Sequence, residues 1–244
     1  MGPDYLMTVA KEMNCEYEFY DKDHHSRFFR MEDILEKLRP DIVAISCMTP
    51  QYHHVRQIVG YFRKEIPRLL IVMGGPHPSA LPRLTLEELP DVDIICKGEK
   101  EKTFEEILMY VAGKVDIGTI KGIFYQEKGE IIENGPRELA PASELEEYAV
   151  DLDKIYEHGP YVQKISYKDR VVPVFPILTT RECPYKCIFC DEENIWNRRI
   201  RSISLDKRVE EIHFLKKDYG ATFFNILDDT FTIKNPGFWN SASR

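Results

Sequence analysis

The sequence has no long apolar run. Its longest purely aliphatic stretch, Leu69 to Met73, holds five residues, far short of the ~20 that span a bilayer, so no transmembrane segment is expected. Basic charge is in deficit: 33 Lys+Arg against 41 Asp+Glu leave a net charge of -8, which argues against a nucleic-acid surface built on excess cations. Met1 to Ala10 lacks a basic segment followed by an apolar one. A secretion signal is therefore not expected in the chain as given, and the cytoplasm is the expected compartment. Cysteine is scarce, six in 244 residues, too few for a disulfide scaffold at this length. No internal repeat or low-complexity segment stands out. What is present is ample core material, 43% hydrophobic residues, in a length that suits one large domain or two modest ones.

From Asp4 to about Gly113 short apolar runs alternate with helical patterns. The runs are Cys15 to Tyr20, Asp41 to Cys47, Leu69 to Met73 and Val92 to Cys96. The last three are rich in Ile and Val and bounded by Pro, Gly or Asp, as buried parallel strands are. Between them Val55, Ile58, Val59, Phe62 and Ile66 share one helical face, closed by Pro67. Thr103 and Glu106 have the spacing of a capping box, predicting a helix that buries Phe104, Ile107, Leu108 and Val111 and ends at Gly113. Strand and helix in alternation predict right-handed crossovers and an α/β, doubly wound sheet. Such a sheet normally begins on a central strand, whereas this chain opens in a helical pattern over Tyr5 to Met13; the start of the natural protein is expected upstream.

Farther on, Gly122 to Tyr125 and Glu130 to Glu133 alternate about Lys128-Gly129, a predicted hairpin. A Pro- and Glu-containing linker, Asn134 to Tyr161, follows. The predicted strand Val171 to Thr179 leads into a cysteine cluster. After it Ser204 caps a helix carrying Leu205, Val209, Ile212 and Leu215, Gly220 ends that helix, and Thr222 to Leu227 forms a second strand. The tail Asn235 to Arg244 has no periodicity and is expected to be irregular.

Cys183, Cys187 and Cys190 stand in Cys-Pro-Tyr-Lys-Cys-Ile-Phe-Cys. At six cysteines in 244 residues, such a triplet has a chance of about 0.4% of arising by accident. Offsets of four and seven suit the buried stripe of a helix, though Pro184 and the strand just upstream oppose a helix there. A structural zinc site wants four ligands, usually with a second close pair, and His213 is the only histidine downstream. A cubane iron–sulfur cluster usually takes one thiolate per iron. Three thiolates leave one iron open to a small molecule, by the logic that separates catalytic from structural zinc.

This loop, Cys-x3-Cys-x2-Cys after an apolar strand, resembles the signature of radical S-adenosylmethionine (SAM) enzymes. The neighbouring stretches are Thr179-Thr180-Arg181-Glu182-Cys183-Pro184 before it, Ile195-Trp196-Asn197-Arg198-Arg199 after it, and Leu227-Asp228-Asp229-Thr230-Phe231 at the second strand's end. They are similar to the branch of that family with an N-terminal cobalamin-binding domain. The resemblance implies that Cys183, Cys187 and Cys190 ligate a [4Fe-4S] cluster whose open iron is chelated by the amino and carboxylate groups of SAM. It implies that Phe189 lies against the adenine, and that Asp228 or Asp229 meets the SAM amino group, the alternative for both carboxylates being a capping or loop role. Arg198, Arg199 and Arg201 either neutralise the cofactor carboxylate or form a solvated basic face. The implied chemistry is reductive cleavage of SAM to a 5′-deoxyadenosyl radical, then methyl transfer through methylcobalamin or another radical rearrangement. The implied substrate is a small-molecule or lipid-like compound, and the implied electron donor a protein such as flavodoxin or ferredoxin.

The runs Ala44 to Thr49, Met73 to Pro82 and Cys96 to Glu99 follow three successive predicted strands. A doubly wound sheet binds ligands beyond the carboxyl ends of its strands, so these loops are expected to border one crevice. They are similar to the cobalamin-binding domain of the same branch, which implies Ser46, Thr49, Gly74, Gly75 and His77 as cobalamin contacts, the glycines admitting the ligand to the backbone. Asp23 and His25 superficially fit the cobalt-binding Asp-x-His-x-x-Gly loop of other cobalamin domains, but Phe28 stands in the glycine's place, and the match is read as accidental. His24 then belongs to a loop, His53-His54 to a solvated helix start, and Cys15, Cys47 and Cys96 are small buried hydrophobes.

The resemblance divides the chain into a Rossmann-like cobalamin-binding domain (1–115), a hairpin and linker (116–170) and the start of a partial (β/α) radical SAM barrel (171–244). Family members build more strand–helix units in the barrel than the two strands legible here. A catalytically incomplete cobalamin-binding or iron–sulfur-carrying fragment is therefore the alternative, and a zinc-stabilised binding module a third reading.

Overall fold

The computed structural model describes residues 2–21, 30–145, 163–195, 198, 200–231 and 233. They fall into two units, the first drawn mainly from Met1–Leu139 and the second mainly from Gly159–Glu192 and Asn197–Arg244. Asp23, His24, His25, Phe28, Trp196, Asn197, Arg199, most of the expected linker and the tail Asn235 to Arg244 lie outside the described residues.

In the first unit α1 (Gly2–Glu12) and α2 (Met31–Leu38) precede β1 (Ile42–Ser46). The alternation continues with α3 (Tyr52–Glu65), β2 (Leu70–Gly74), α4 (Pro76–Ala80), α5 (Pro82–Glu88), β3 (Ile94–Cys96) and α6 (Glu101–Val111). The first three strands pair in parallel in chain order, with Ser46 opposite Gly74 and Val72 opposite Ile94. The predicted hairpin, β4 (Ile123–Glu127) and β5 (Glu130–Glu133), extends the same sheet antiparallel from β3, with Tyr125 opposite Ile132. Its turn residues Lys128 and Gly129 both take positive φ, which matches the twist of the flanking strands.

The sheet is covered on both faces because its strands are apolar on both. Successive strand side chains point opposite ways. Ile71, Met73 and Ile95 pack with Val55, Val59, Phe62 and Leu86 on one face, while Val72, Ile94 and Cys96 pack with Ile107, Ile120 and Ile123 on the other. Each fully buried aliphatic side chain contributes about 1.5–3 kcal/mol. The start of β2 carries a polar clamp: the Ile71 N–H donates to Asp93 Oδ2 at 2.7 Å. Arg63 donates to the same oxygen at 2.7 Å and to the Pro67 and Leu69 carbonyls.

Three expectations for this unit are corrected. Cys15 to Tyr20 is irregular and not a strand; Glu16 and Glu18 place charge at two of its six positions, and among the described residues no strand pairs with it, so it has no ladder to hold it extended. Thr103 does not cap α6, which begins two residues earlier at Glu101. The buried Thr103 hydroxyl instead donates to the Lys121 carbonyl at 3.3 Å and accepts from Arg137 Nε at 2.8 Å, and Glu106 pairs with the same Arg137. Val111, expected in the core, is exposed because it ends the helix; Gly113 follows with positive φ as the stop.

In the second unit β6 (Gln163–Tyr167) and β7 (Arg170–Ile177) form an antiparallel hairpin about Lys168-Asp169, both with positive φ. The sequence reading has no counterpart for β6. β8 (Thr180–Arg181) pairs antiparallel with β9 (Arg201–Ser202) in a ladder of its own. Ser204 is the N-cap of α7 (Leu205–Asp218), Gly220 follows it with positive φ, and β10 (Phe223–Ile226) lies parallel to β7 with Phe223 opposite Val174. This is the expected strand–helix–strand unit. Leu215 is its buried helical anchor, whereas Val209 is exposed. No helix among the described residues is long and apolar enough to cross a membrane.

Candidate functional site

The first group of predicted residues sits at the carboxyl ends of β1 and β2, and the fold brings it together. The Cys47 N–H donates to the Gly74 carbonyl at 2.8 Å, and the His77 N–H to the Cys47 carbonyl at 3.1 Å. Gly75 makes this possible: at φ 108° its absent Cβ would lie 2.5 Å from Cys47 O and 2.7 Å from Cys47 N, so only glycine fits. The Thr49 hydroxyl and His77 Nδ1 share a hydrogen bond of 3.1 Å, and the His77 ring lies 4.3 Å from that of Tyr52. Ser46 ends β1 opposite Gly74. The third loop joins through the Gly98 N–H, which donates to Ser79 Oγ at 3.3 Å. It also joins through Lys100, whose Cε would meet a Gly74 side chain at 2.7 Å. Ser46, Thr49, Gly74, Gly75 and His77 therefore form one rim.

Sequence reasoning missed Tyr52, Ser79 and Lys100 as members of that rim. Ser79 lies within the quoted Gly-Gly-Pro-His run and is fully buried; Tyr52 and Lys100 open helices and carry no signal of their own. The Tyr52 hydroxyl donates to Glu88 at 2.7 Å, and burial, then that carboxylate, hold its pKa well above the ordinary phenol. Burial alone pushes the Cys47 thiol up to about 11, and burial is the main cause raising Cys96 to about 12. Both are inert core thiols, as expected, whereas Cys15, expected to be buried like them, is only half-buried in the irregular segment after α1. His53 and His54 are exposed.

The second group surrounds the cysteine loop of the second unit. β7 ends at Ile177, β8 and β9 close the neck of the loop, and the Ile203 N–H donates to Thr179 O at 2.9 Å. Residues 183–190 are irregular with a turn at Ile188 and Phe189, not helical, which removes the helical-stripe reading. Cys183 and Cys190 are half-buried, Cys187 is exposed, and all three are free thiols. The Cys190 N–H donates to the Cys187 carbonyl at 3.0 Å, and the turn so formed leaves Ile188 and Phe189 with 103% and 88% of their surface in solvent. Among the described residues the thiols have not converged into a group of three metal ligands. Their chemistry still fits a thiolate-bound metal: three soft donors within eight residues, on an open loop at the carboxyl end of a parallel strand pair.

Asp228 and Asp229 have different surroundings. Asp228 Oδ1 accepts the Thr179 and Thr180 N–H groups at 2.7 and 3.1 Å, and the Thr179 hydroxyl donates to Oδ2. Asp228 thus pins the end of β10 to the exit of β7, the loop role among the alternatives. Asp228→Ala is expected to destabilise the second unit by about 2 kcal/mol or more, since it strands two backbone donors; a urea midpoint unchanged from wild type would overturn this. Partial desolvation, then the Asp228 charge, raise the Asp229 pKa. Near them Glu192, which sequence reasoning missed, has a buried Oε2 with no hydrogen-bond partner. Its pKa is raised to about 7 by burial first and by Asp229 next.

The Arg-rich stretch is not a uniformly solvated face. Arg201 is 6% exposed and pairs with the fully buried Glu182, Nε to Oε1 at 2.6 Å. Arg198 donates to the Tyr185 carbonyl inside the loop.

Residues 1–108 match the B12 binding domain family. The chain is 30% identical over 234 residues to an uncharacterized methyltransferase of Pyrococcus horikoshii, covering 96% of this chain and 49% of the relative. It is 28% identical to the anaerobic magnesium-protoporphyrin IX monomethyl ester cyclase of Cereibacter sphaeroides, covering 96% of this chain and 38% of that enzyme. The chain therefore spans about half the length of the first relative and less of the second. Its fold is similar to that of the radical SAM methyltransferase TsrM from Kitasatospora setae, solved with cobalamin and a [4Fe-4S] cluster. The TM-score is 0.70 at 19% identity, over 94% of this chain and 45% of that one. The domain match stops at residue 108, yet these likenesses run over nearly the whole chain, cysteine loop included.

Proposed function

We propose that the chain carries the cofactor-binding machinery of a cobalamin-dependent radical SAM enzyme whose reaction is methyl transfer to a small-molecule or lipid-like substrate. The observation that carries this reading is the free-thiol loop of Cys183, Cys187 and Cys190 beyond β7, in a chain that opens on a B12 binding domain. A [4Fe-4S] cluster held there supplies the electron that cleaves SAM, and cobalamin supplies a methyl carrier. The three thiolates are the metal ligands. Phe189, with almost its whole side chain in solvent, offers the flat apolar surface on which an adenine would stack. Asp229 is the carboxylate proposed to meet the SAM amino group, because the oxygens of Asp228 are already engaged by Thr179 and Thr180. Ser46, Thr49, Gly74, Gly75 and His77 are the proposed cobalamin rim. An electron donor such as flavodoxin or ferredoxin belongs to this reading, since reductive cleavage consumes an electron that no residue of the chain supplies. Six free cysteines suit the reducing cytoplasm.

The chain spans about half of its first relative, which favours a second reading, a cobalamin-binding and iron–sulfur-carrying piece without complete catalysis. The relative named as a cyclase likewise keeps a radical rearrangement in view beside methyl transfer. Anaerobic reconstitution with iron and sulfide, followed by metal counting and electron paramagnetic resonance with and without SAM, tests the proposal. About four irons per chain and a spectrum shifted by SAM are expected; bound zinc, or a cluster indifferent to SAM, would sink it. Formation of 5′-deoxyadenosine then separates the enzyme from the incomplete piece.

A further inference from the structure

We propose that Glu182 and Arg201 are positioning residues that latch the neck of the cysteine loop and so fix where that loop begins before any metal arrives. The two residues stand where the loop leaves β8 and re-enters β9, with Thr180 opposite Ser202 and Arg181 opposite Arg201 in the ladder. The Glu182 side chain is fully buried and that of Arg201 is 6% exposed. Arg201 directs both Nε, at 2.6 Å, and Nη2 to Glu182 Oε1, and donates Nη1 to the Ala140 carbonyl at 2.5 Å. Three donors of one rigid guanidinium are thus fixed at once.

The backbone reports the same constraint. Glu182 has φ 80°, a conformation that favours glycine and that a long side chain rarely adopts. Such a residue persists where the surroundings over-determine it, and here the surroundings are the Arg201 fork. A buried ion pair is a poor source of net stability, but removing one partner leaves an uncompensated buried charge, so the pair selects one geometry of the chain around it. The rest of the loop has little packing to do this: Tyr185, Cys187, Ile188 and Phe189 are all exposed. Cys183 follows Glu182 directly, so the latch sets the origin of the loop. The consequence for metal binding rests on the proposed ligand role of the cysteines, while the latch itself is open to test without metal.

The test is the alkylation rate of each cysteine in the metal-free, reduced chain, read by peptide mass spectrometry with iodoacetamide. Hydrogen exchange of β7 and β10 serves as the folding control. In both Glu182→Gln and Arg201→Gln, the half-buried Cys183 and Cys190 should react at least ~10-fold faster than in wild type as the neck opens, while the exposed Cys187 changes little. If the pair acts only through its charges, the two variants move Cys183 in opposite directions, because one leaves a cation beside the thiol and the other an anion; that result overturns the latch. Rates within twofold of wild type in both variants overturn it too. Glu182→Gly separates the side chain from the backbone: faster alkylation supports the latch, and full protection shows that the turn alone positions the loop. Should a glutamine variant lose protection in β7, Arg201→Lys keeps the charge without the fork; faster alkylation of Cys183 supports the latch and an unchanged rate overturns it. Failure of the wild-type chain to assemble a cluster would remove the proposed function and leave the alkylation result standing.

Discussion

Cys187→Ala is expected to reduce reconstituted iron from about four atoms per chain to background, and to abolish any response of the spectrum to SAM. Two thiolates cannot hold a cubane that already has one iron without a protein ligand, and among the described residues no other group of three metal-ligating side chains stands ready. The substitution is clean because Cys187 is exposed: a surface change of this kind alters stability by no more than about 0.5 kcal/mol, so a lost cluster is not a lost fold. Cys15→Ser, in the irregular segment after α1, should leave the iron count unchanged. Iron and sulfide analysis beside a thermal melt decides the matter, and full iron occupancy in Cys187→Ala would overturn the assignment.

Gly75→Ala is expected to cost about 3 kcal/mol or more and to abolish cobalamin binding. At φ 108° and ψ 178° the residue lies in a region essentially reserved for glycine, and its new methyl group would sit 2.5 Å from the Cys47 carbonyl oxygen. Backbone cannot give way as a side chain tip does, so the loops after β1 and β2 must part, taking the Thr49–His77 hydrogen bond with them. Gly60→Ala is the contrast: in the interior of α3, with nothing within 4 Å of the added carbon, it should stabilise by roughly 0.5–1 kcal/mol. Urea midpoints and a cobalamin titration of the two variants measure both effects. A Gly75→Ala chain as stable as wild type would mean that the close approach to Cys47 is not needed.

The sequence announced most of the first sheet because β1, β2 and β3 are short apolar runs closed by turn residues, a pattern that needs no knowledge of partners. The Cys15 to Tyr20 run looked similar, and only the missing ladder partner distinguishes it. β6 escaped because its signal is a weak alternation before Lys168-Asp169, a turn pair without glycine in which both residues nonetheless take positive φ. The same limit governs the site. Cysteine spacing is local and legible, whereas the partnership of Glu182 with Arg201 depends on a ladder of two residues on each side, 19 positions apart. Asp228 could be seen as a carboxylate at a strand end. That its oxygens are engaged by Thr179 and Thr180, across 49 and 48 residues, follows only from the parallel pairing of β10 with β7.

The polar clamp at the start of β2 has a consequence for how that strand knows its phase. In a sheet with one wet face, a slip of one residue would turn every apolar side chain outward and forbid itself. β2 has no such safeguard, for Ile71, Val72 and Met73 are buried alike, and sliding by one position would exchange one aliphatic for another. Its phase is written at the ends instead. The Ile71 N–H meets Asp93, which Arg63 holds in place, and at the far end Gly75 is the one residue that tolerates the approach of Cys47. The aliphatic letters between these marks are interchangeable in kind, so the middle of the strand is free to drift in identity while its two punctuation points are not.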